Sequence, residues 1–249
     1  MNEAGYKEFY DKVGALNGWD FSRIKCRSEG VSWNFYAEVT KRCRSTDVLL
    51  DIGTGGGEAL LSIADAARLL IGIDQSDGMI GTAADNLSKS LRENVRFVRM
   101  EAEKLEFPDR FFNIISCRHS PFNAKETARV LADDGVFLTQ QVSEGDKANI
   151  KRAFGRGQGG GIPSGTLRNR LIQELSEAGF TDIQSFEYNA AEYYRSYEDL
   201  IFLLKHTPTI PGFGEDEADL QRLAAFIEGN QSEKGIETNS ERFMIIARK

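Results

Sequence analysis

The sequence contains little cysteine and no long apolar run. Its three cysteines among 249 residues, Cys26, Cys43 and Cys117, are odd in number and lack the paired spacing of a disulfide framework or a zinc site. We therefore expect reduced thiols and no metal centre. No apolar run approaches the ~18–20 residues that a membrane span requires, and the polar start of the chain lacks a signal-peptide core. These absences predict a cytoplasmic protein without a membrane partner.

A surplus of positive charge is also missing. The chain carries 31 lysines and arginines against 38 acidic residues, which gives a formal net charge of −7. Nonspecific nucleic-acid binding depends mainly on lysine and arginine side chains that neutralise phosphates, so this balance weighs against it. A local basic site is not excluded. Residues 151–170 carry five basic side chains and no acid, whereas residues 213–241 carry eight acids and two basic side chains.

Short apolar runs alternate with longer amphipathic stretches from residue 47 onward. The runs predict strands, and they lie at 47–51, 70–74, 94–100, 112–117, 135–140, 181–186 and 241–247. Helical spacing of apolar residues predicts helices at 58–69, 77–91, 124–131 and 166–178. Successive strand–helix units joined by short turns predict an α/β fold with a doubly wound, mostly parallel sheet.

The segments around this core have looser patterns. We expect residues 1–46 to form an N-terminal helical cap segment and residues 47–249 to form the main domain. Within that domain, residues 151–165 include six glycines and predict a mobile loop, because glycine loses the most backbone entropy on ordering. Residues 196–229 predict a helical insertion before the last strand.

A glycine-rich turn follows the first predicted strand. Gly53, Gly55 and Gly57 open a helix there, where glycines permit a sharp turn and the close approach of a ligand to free peptide N–H groups. Asp51 precedes them, and its carboxylate repels a pyrophosphate but suits a cationic amino-acid group. Asp74 ends the second strand, where an acid accepts hydrogen bonds from a ribose diol. The alternative is that the glycine turn and the two acids bind no ligand.

Four segments occur in the order and spacing of one enzyme family. They are residues 48–57, 72–79, 101–109 followed by 112–115, and 129–136. Over about residues 45–142, the chain resembles the class I S-adenosylmethionine-dependent methyltransferases, in particular the subgroup similar to ubiquinone/menaquinone-biosynthesis methyltransferases. The chain departs from that family at residues 132–134, Ala-Asp-Asp, where a Lys-Pro pair usually precedes the glycine.

The resemblance implies a fold and a cofactor site. The fold would be a seven-stranded, Rossmann-like sheet with an antiparallel last strand and a helical cap, and the cofactor would be S-adenosylmethionine. The glycines would line its amino-acid portion, and Asp74 would hold its ribose hydroxyls. The adenine would lie near Gln75 or Met79, although Met79 is equally expected in the core. The candidate cofactor-binding residues are therefore Asp51, Gly53, Gly55, Gly57, Asp74, Gln75, Met79, and, at the adenine edge, Glu101 and Ala102.

The sequence defines the acceptor side less closely. Methyl transfer from a sulfonium is an in-line displacement that orientation promotes, so it needs no protein nucleophile. His119 follows the fourth strand, which faces the reactive methyl in this fold, and is the candidate general base; a structural histidine is the alternative. Arg118 is a candidate for binding an acidic acceptor or the cofactor carboxylate. Trp33, Tyr36 and His206 lie in segments that cap the site in similar enzymes, although ordinary packing explains them equally well.

The sequence thus predicts a methyltransferase that uses S-adenosylmethionine and acts on a small-molecule acceptor of anionic or aromatic character. An RNA methyltransferase and a noncatalytic cofactor-binding module remain alternatives. Two interpretations also stand for the basic, glycine-rich segment. It is either a lid that contacts an anionic acceptor or a segment that neutralises the acidic residues at 213–241.

Overall fold

The direction of the strands divides the sheet into a parallel and an antiparallel part. The computed structural model describes residues 23–249. Their strands are β1 (Cys26–Glu29), β2 (Val48–Ile52), β3 (Leu69–Asp74), β4 (Val95–Arg99), β5 (Phe112–Arg118), β6 (Leu131–Val142), β7 (Thr181–Tyr194), β8 (Gln231–Ser232) and β9 (Gly235–Arg248). They lie in the order β1-β7-β9-β6-β5-β2-β3-β4, and β8 pairs with β9. Strands β2 to β6 are mutually parallel, whereas β9 runs antiparallel between β6 and β7.

Helices pack on both faces of this sheet. They are α1 (Phe35–Thr40), α2 (Glu58–Ser62), α3 (Asp77–Ser90), α4 (Ala124–Val130), α5 (Ala148–Phe154), α6 (Thr166–Glu177), α7 (Tyr197–His206) and α8 (Ala218–Asn230). Leu49 packs in one core with α1 and α2, and its neighbour Leu50 packs in another with α4 and α6. Successive strand residues face opposite sides, so a strand buried on both faces needs a nearly continuous apolar run. None of the helices between residues 23 and 249 is long and apolar enough to cross a membrane.

The strand order reverses at β2. From β2 the sheet grows through β3 and β4 on one side, and through β5 and β6 on the other. In an open α/β sheet, such a reversal leaves a crevice at the carboxyl ends of the strands. The register places Asp51 beside Gly72 of β3 and Ser116 of β5, and Asp74 ends β3. The two predicted acids therefore border the same crevice.

The sheet has nine strands within the described residues rather than the predicted seven. The doubly wound, mostly parallel arrangement and the antiparallel last strand are confirmed. The additional strands are β1, a four-residue edge strand on β7, and β8, a two-residue strand on β9. Most of β1 and all of β8 are exposed, so neither carries the alternation of apolar and polar residues that reveals a strand in sequence.

The segments outside the core differ in part from their expected structure. Of the predicted N-terminal cap segment, residues 1–22 lie outside the described residues, and residues 23–46 contain an edge strand as well as helix α1. The predicted loop at 151–165 is too long, because residues 151–154 belong to α5, where Phe154 packs in a core with α7 and α8. Helices α7 and α8 lie in the interval predicted as a helical insertion.

The basic and acidic segments contact each other. Nη2 of Arg156, in the glycine-rich loop, donates to both carboxylate oxygens of Asp219 at 2.9 and 2.7 Å. Asp219 is completely buried at the start of α8. Arg168 forms an ion pair with Glu187. Glu187 lies on β7, outside the acidic segment, so it is the contact between Arg156 and Asp219 that favours mutual neutralisation of the two segments over a basic lid.

Candidate functional site

A glycine turn follows β2 at the crevice. Gly53, Gly55 and Gly57 have left-handed backbones, with φ of +72°, +58° and +78°, which other residues rarely adopt. A Cβ atom on Gly53 would overlap the Ser120 side chain, and one on Gly57 would overlap the ring of Phe97. Backbone conformation and close packing together require the first and third glycines of this turn.

Several N–H groups of the turn donate hydrogen bonds within the protein. This finding corrects the expectation that they are free for a ligand. Gly53 and Thr54 both donate to the carbonyl oxygen of Ile73 at 2.9 Å. Gly55 donates to Oδ2 of Asp74 at 3.0 Å. A phosphate site needs several free N–H groups, so this turn does not offer the usual cradle for one. The carboxylate of Asp51 beside the turn instead suits a cationic group, as the sequence predicts.

Asp51 is a buried carboxylate at the end of β2, with 1% of its surface exposed. Ser116 Oγ donates to Oδ1 at 2.6 Å, and the hydroxyl of Tyr36 donates to Oδ2 at 3.2 Å. Burial raises the pKa of Asp51 to about 6, while these hydrogen bonds and the charge of Arg118 limit the rise. The carboxylate forms no ion pair within residues 23–249. A cationic ligand group would supply the missing charge.

Asp74 is held in one orientation at the end of β3. Its Oδ1 accepts the N–H of Ser76 at 3.0 Å, and its Oδ2 accepts the N–H of Gly55. Its carbonyl oxygen accepts the N–H of Met100, which connects β3 to the end of β4. Each carboxylate oxygen can accept more than one hydrogen bond. Asp74 is thereby oriented at the place where the sequence predicts contact with a ribose.

The structure places the remaining cofactor candidates after β3 and β4. Gln75 follows β3 and is half-buried, whereas Met79 lies in the first turn of α3 and is 3% exposed. Glu101 follows β4 and is exposed. Ala102 is half-buried and packs against the core on the α4 side of the sheet. All four therefore lie near the Asp74 side of the crevice, and the burial of Met79 agrees with the core alternative.

A cavity of about 540 Å³ brings together three of the predicted acceptor-site residues, Trp33, Tyr36 and Arg118. The rings of Trp33 and Tyr188 meet edge to face, with centroids 4.6 Å apart at 62°. The guanidinium carbon of Arg118 lies 5.9 Å from the Tyr36 ring centroid, within reach of a cation–π contact. The residues that line the cavity are Val31, Ser32, Trp33, Asn34, Phe35, Tyr36, Arg118, Gln140 and Tyr188.

His206 does not line this cavity, contrary to its predicted place in the acceptor site. It lies at the end of α7, where its Nδ1 is 2.7 Å from the carbonyl oxygen of Phe202. Its ring stacks on that of Phe202 at a centroid distance of 4.0 Å. The imidazole is therefore explained by packing within its own helix.

His119 follows β5, has a left-handed backbone with φ of +58°, and lies behind the cavity wall. Its Nε2 is 3.0 Å from Nε2 of Gln140, whose Oε1 accepts the indole N–H of Trp33 at 2.8 Å. Burial and the nearby charge of Arg242 hold the pKa of His119 well below its usual value. The imidazole is thus neutral at physiological pH.

Residues 49–135 match a family described as "Methyltransferase domain". They form a methyltransferase domain. The match runs from β2 into β6, and so it contains the glycine turn, both acids of the crevice, Arg118 and His119. The resemblance to the class I S-adenosylmethionine-dependent methyltransferases, with their Rossmann-like fold and their cofactor, is thereby confirmed for this domain.

Individual proteins show the same likeness to the methyltransferase domain. Over 106 residues, 40% of this chain and 42% of the relative, the chain is 38% identical to the uncharacterized methyltransferase YcgJ of Bacillus subtilis. Over 134 residues, 49% of this chain and 53% of the relative, it is 29% identical to the ubiquinone/menaquinone biosynthesis C-methyltransferase UbiE of Azotobacter vinelandii. The chain spans about half the length of these curated relatives. The crystal structure of Bacillus subtilis YcgJ has a TM-score of 0.62 at 20% identity, covering 86% of this chain and 97% of that one.

Gln140 and Tyr188 line the cavity but were not among the residues predicted from the sequence. Gln140 of β6 pairs in register with Arg118 of β5. Its position near the end of a neighbouring strand was the sequence feature that could have indicated its place in the cavity. Tyr188 lies beyond the predicted end of its strand at residue 186, because β7 continues to Tyr194 as an antiparallel ribbon with β9.

Proposed function

We propose that this chain transfers a methyl group from S-adenosylmethionine to a small-molecule acceptor bound in the 540 Å³ cavity. The contact between Tyr36 and Asp51 carries this proposal. The tyrosine lines the cavity, and its hydroxyl bonds to the carboxylate beside the glycine turn. The candidate cofactor site and the cavity therefore share a wall. Methyl transfer requires donor and acceptor atoms to approach within roughly 3–3.5 Å, which such adjacency permits.

The two acids beside the glycine turn support this choice of cofactor. Asp51 would receive the cofactor ammonium group, which supplies the positive charge that the buried carboxylate lacks. Asp74 would accept hydrogen bonds from the ribose hydroxyls. When bound, the cofactor supplies a methyl carbon made electrophilic by its sulfonium. The candidates for the surroundings of the adenine are Gln75, Met79, Glu101 and Ala102.

The chain itself would orient the acceptor and exclude water from it. Residues 23–46, which we assign to the cap of the site, supply Trp33 and Tyr36 to the cavity. Orientation of this kind contributes roughly 7–11 kcal/mol to a bimolecular reaction without any protein nucleophile. His119 remains a candidate base, but Nε2 of its neutral ring is already in contact with Gln140.

The lining of the cavity supports an acceptor that is planar and anionic. Trp33, Tyr36 and Tyr188 present aromatic surfaces, which pack well against a flat or apolar body. Arg118 adds a positive charge at the same cavity. By contrast, Arg156 and Arg168, which would serve an RNA-binding surface, already contact carboxylates. A small acceptor is therefore favoured over RNA.

The proposal includes a reducing, cytoplasmic setting. Cys26, Cys43 and Cys117 are all free thiols in the structure. Cys26 is exposed, whereas Cys117 is buried in β5. Unpaired cysteines of this kind are typical of compartments in which thiols remain reduced.

A turnover assay tests this function. The protein is incubated with S-adenosylmethionine and separate pools of organic acids, amines, alcohols and RNA, and the formation of S-adenosylhomocysteine is followed. We expect product with the small organic acids, and its loss in Asp51→Ala. The exposed Asp77, which pairs with Arg99 on the surface, supplies the control variant Asp77→Ala. Turnover with RNA alone, or cofactor binding without turnover on any pool, would refute the proposal.

A further inference from the structure

The indole of Trp33 fixes the protonation of His119 through Gln140. An indole N–H only donates, so the oxygen that accepts it 2.8 Å away is Oε1 of Gln140. The amide nitrogen of Gln140 then faces Nε2 of His119 at 3.0 Å. An amide nitrogen also only donates, so Nε2 must be the acceptor. The proton of the neutral imidazole consequently lies on Nδ1.

Burial, together with charged groups on three sides, keeps this imidazole neutral. Arg118 adjoins it on β5, Arg242 approaches from β9, and Lys147 lies just before α5; each disfavours a second proton on the ring. Lys147 and Arg242 are themselves held in ion pairs with acids. The charged groups of this region are Arg118, Arg242, Lys147, Asp146 and Glu192.

The other side chains near the cavity that could accept a proton are also held in hydrogen bonds or already protonated. Asp51 accepts hydrogen bonds from Ser116 and Tyr36, and Tyr36 uses its own proton in that contact. Burial raises the pKa of the Tyr36 hydroxyl and of the Cys117 thiol. None of these groups takes a proton from an alcohol or an ammonium at neutral pH without first breaking its contacts or losing its own proton.

Arg118 is a positive charge at the cavity that an anionic acceptor could pair with. It is exposed, lines the cavity, and forms no ion pair within residues 23–249. By contrast, Arg129 and Arg242 both contact carboxylates. A guanidinium without a carboxylate partner at an aromatic-walled cavity suits a planar ligand that brings its own carboxylate.

Building on the proposed methyl transfer, we propose that the acceptor is a carboxylic acid on a planar, unsaturated body, which enters the cavity already ionised. His119 is then a positioning residue that holds the wall formed by Gln140 and Trp33. In the reaction, a carboxylate oxygen forms a bond to the methyl carbon as the carbon–sulfur bond breaks. The electron pair of that bond remains on sulfur, and the products are a neutral methyl ester and a thioether. No proton is transferred, so no base is required.

Nuclear magnetic resonance tests the role of His119 directly, because the chain has only two histidines. Two-bond ¹H–¹⁵N spectra of the ¹⁵N-labelled protein at pH 7, assigned with His206→Asn, should show His119 with a proton on Nδ1 alone. In Gln140→Glu, a carboxylate replaces the amide and accepts from both neighbours, so the proton should move to Nε2. A wild-type ring protonated on Nε2 would overturn the positioning role.

Titration with cinnamate tests the acceptor class in the protein saturated with S-adenosylhomocysteine. We expect cinnamate to bind at least tenfold more tightly than cinnamyl alcohol, and Arg118→Met to remove this preference. The titration is run at pH 8.5, well above the pKa of about 6 of Asp51, so that loss of the nearby charge of Arg118 leaves this acid ionised. Arg118→Met should then change S-adenosylhomocysteine affinity by less than twofold, and Arg96→Met, at an exposed arginine of β4, should alter neither. Equal binding of the alcohol, no binding of cinnamate, or weakened S-adenosylhomocysteine binding in Arg118→Met would overturn the acceptor class. A wild type that does not bind S-adenosylhomocysteine would instead refute the proposed function.

Discussion

The hydroxyl of Tyr36 donates a hydrogen bond to Asp51 at 3.2 Å, which ties helix α1 to the end of β2. The tyrosine forms part of the cavity, whereas the acid belongs to the glycine-turn side of the crevice. The contact also stabilises the ionised form of a carboxylate that burial disfavours. Cap and core are therefore connected at the group that we expect to receive the cofactor ammonium.

The replacement Asp51→Asn should stabilise the protein at neutral pH. The pKa of Asp51 is raised from 3.8 to about 6 by burial. Between these values the folded state holds a proton that the unfolded state has lost, so stability falls as pH rises from about 4 to about 6. At pH 7.5 the buried charge costs up to about 3 kcal/mol, which asparagine avoids.

Thermal unfolding checks this expectation. Asp51→Asn should melt above the wild type at pH 7.5, and the difference should shrink towards zero at pH 4. Asp77→Asn, at an exposed acid in the first turn of α3, is the control and should show no such gain. A melting temperature below that of the wild type at pH 7.5 would contradict the assignment of a destabilising buried charge.

The replacement Tyr36→Phe should alter the pH dependence of cofactor binding. The ammonium group pairs with ionised Asp51, so the affinity of the wild type for S-adenosylhomocysteine should fall as pH drops through about 6. Loss of the Tyr36 hydroxyl removes a donor to the anion, so the fall should occur at higher pH. Calorimetry from pH 5 to 8, with Tyr197→Phe as an exposed control, measures this shift. An affinity independent of pH would refute it.

Two glycine replacements should have opposite effects on stability. Gly57→Ala places a side chain at φ +78°, where it also overlaps Phe97; the backbone alone costs about 1–2 kcal/mol. Gly81→Ala lies inside α3 with no atom within 4 Å of the new Cβ, so it should gain about 1 kcal/mol from helix propensity. Urea unfolding compares them, and equal changes in stability would argue against the described turn.

The replacement Arg156→Met should destabilise the fold by about 2 kcal/mol, because the buried Asp219 loses two charge-assisted hydrogen bonds and keeps Arg222 as its cationic partner. Arg156 holds the pKa of Asp219 below its usual value, so its stabilising effect should diminish as pH falls. Arg170→Met, at an exposed pair with Glu174, should change stability little. Equal unfolding curves for the two variants at pH 7.5 would contradict this role of the glycine-rich loop.

The central strands were predictable because their environment leaves a clear pattern. A strand covered on both faces, such as β2 or β3, needs an uninterrupted apolar run. The outer part of β7 lacks that constraint. Its residues pair with β9 through the backbone, whereas the side chains of its first half are mostly exposed, so its length of 14 residues had no signature in the sequence.

The candidate site was predictable only where residues end strands or flank the glycine turn. Asp51 and Asp74 lie at the same edge of the sheet because β2 and β3 are parallel neighbours. Trp33 and Tyr36 come from a distant segment, and their place at the cavity depends on how α1 packs over β5. His206 was assigned to the same cap, but its ring packs against Phe202 instead. Sequence position alone does not distinguish these outcomes.

Calorimetric titration of the wild type with S-adenosylhomocysteine at pH 7.5 tests the central claim most directly. We predict one binding site per chain, at least tenfold weaker binding in Asp74→Ala, and unchanged binding in Asp77→Ala, three residues along the chain. Absence of binding to the wild type, or equal affinity in Asp74→Ala, would contradict the assignment of this crevice to the cofactor.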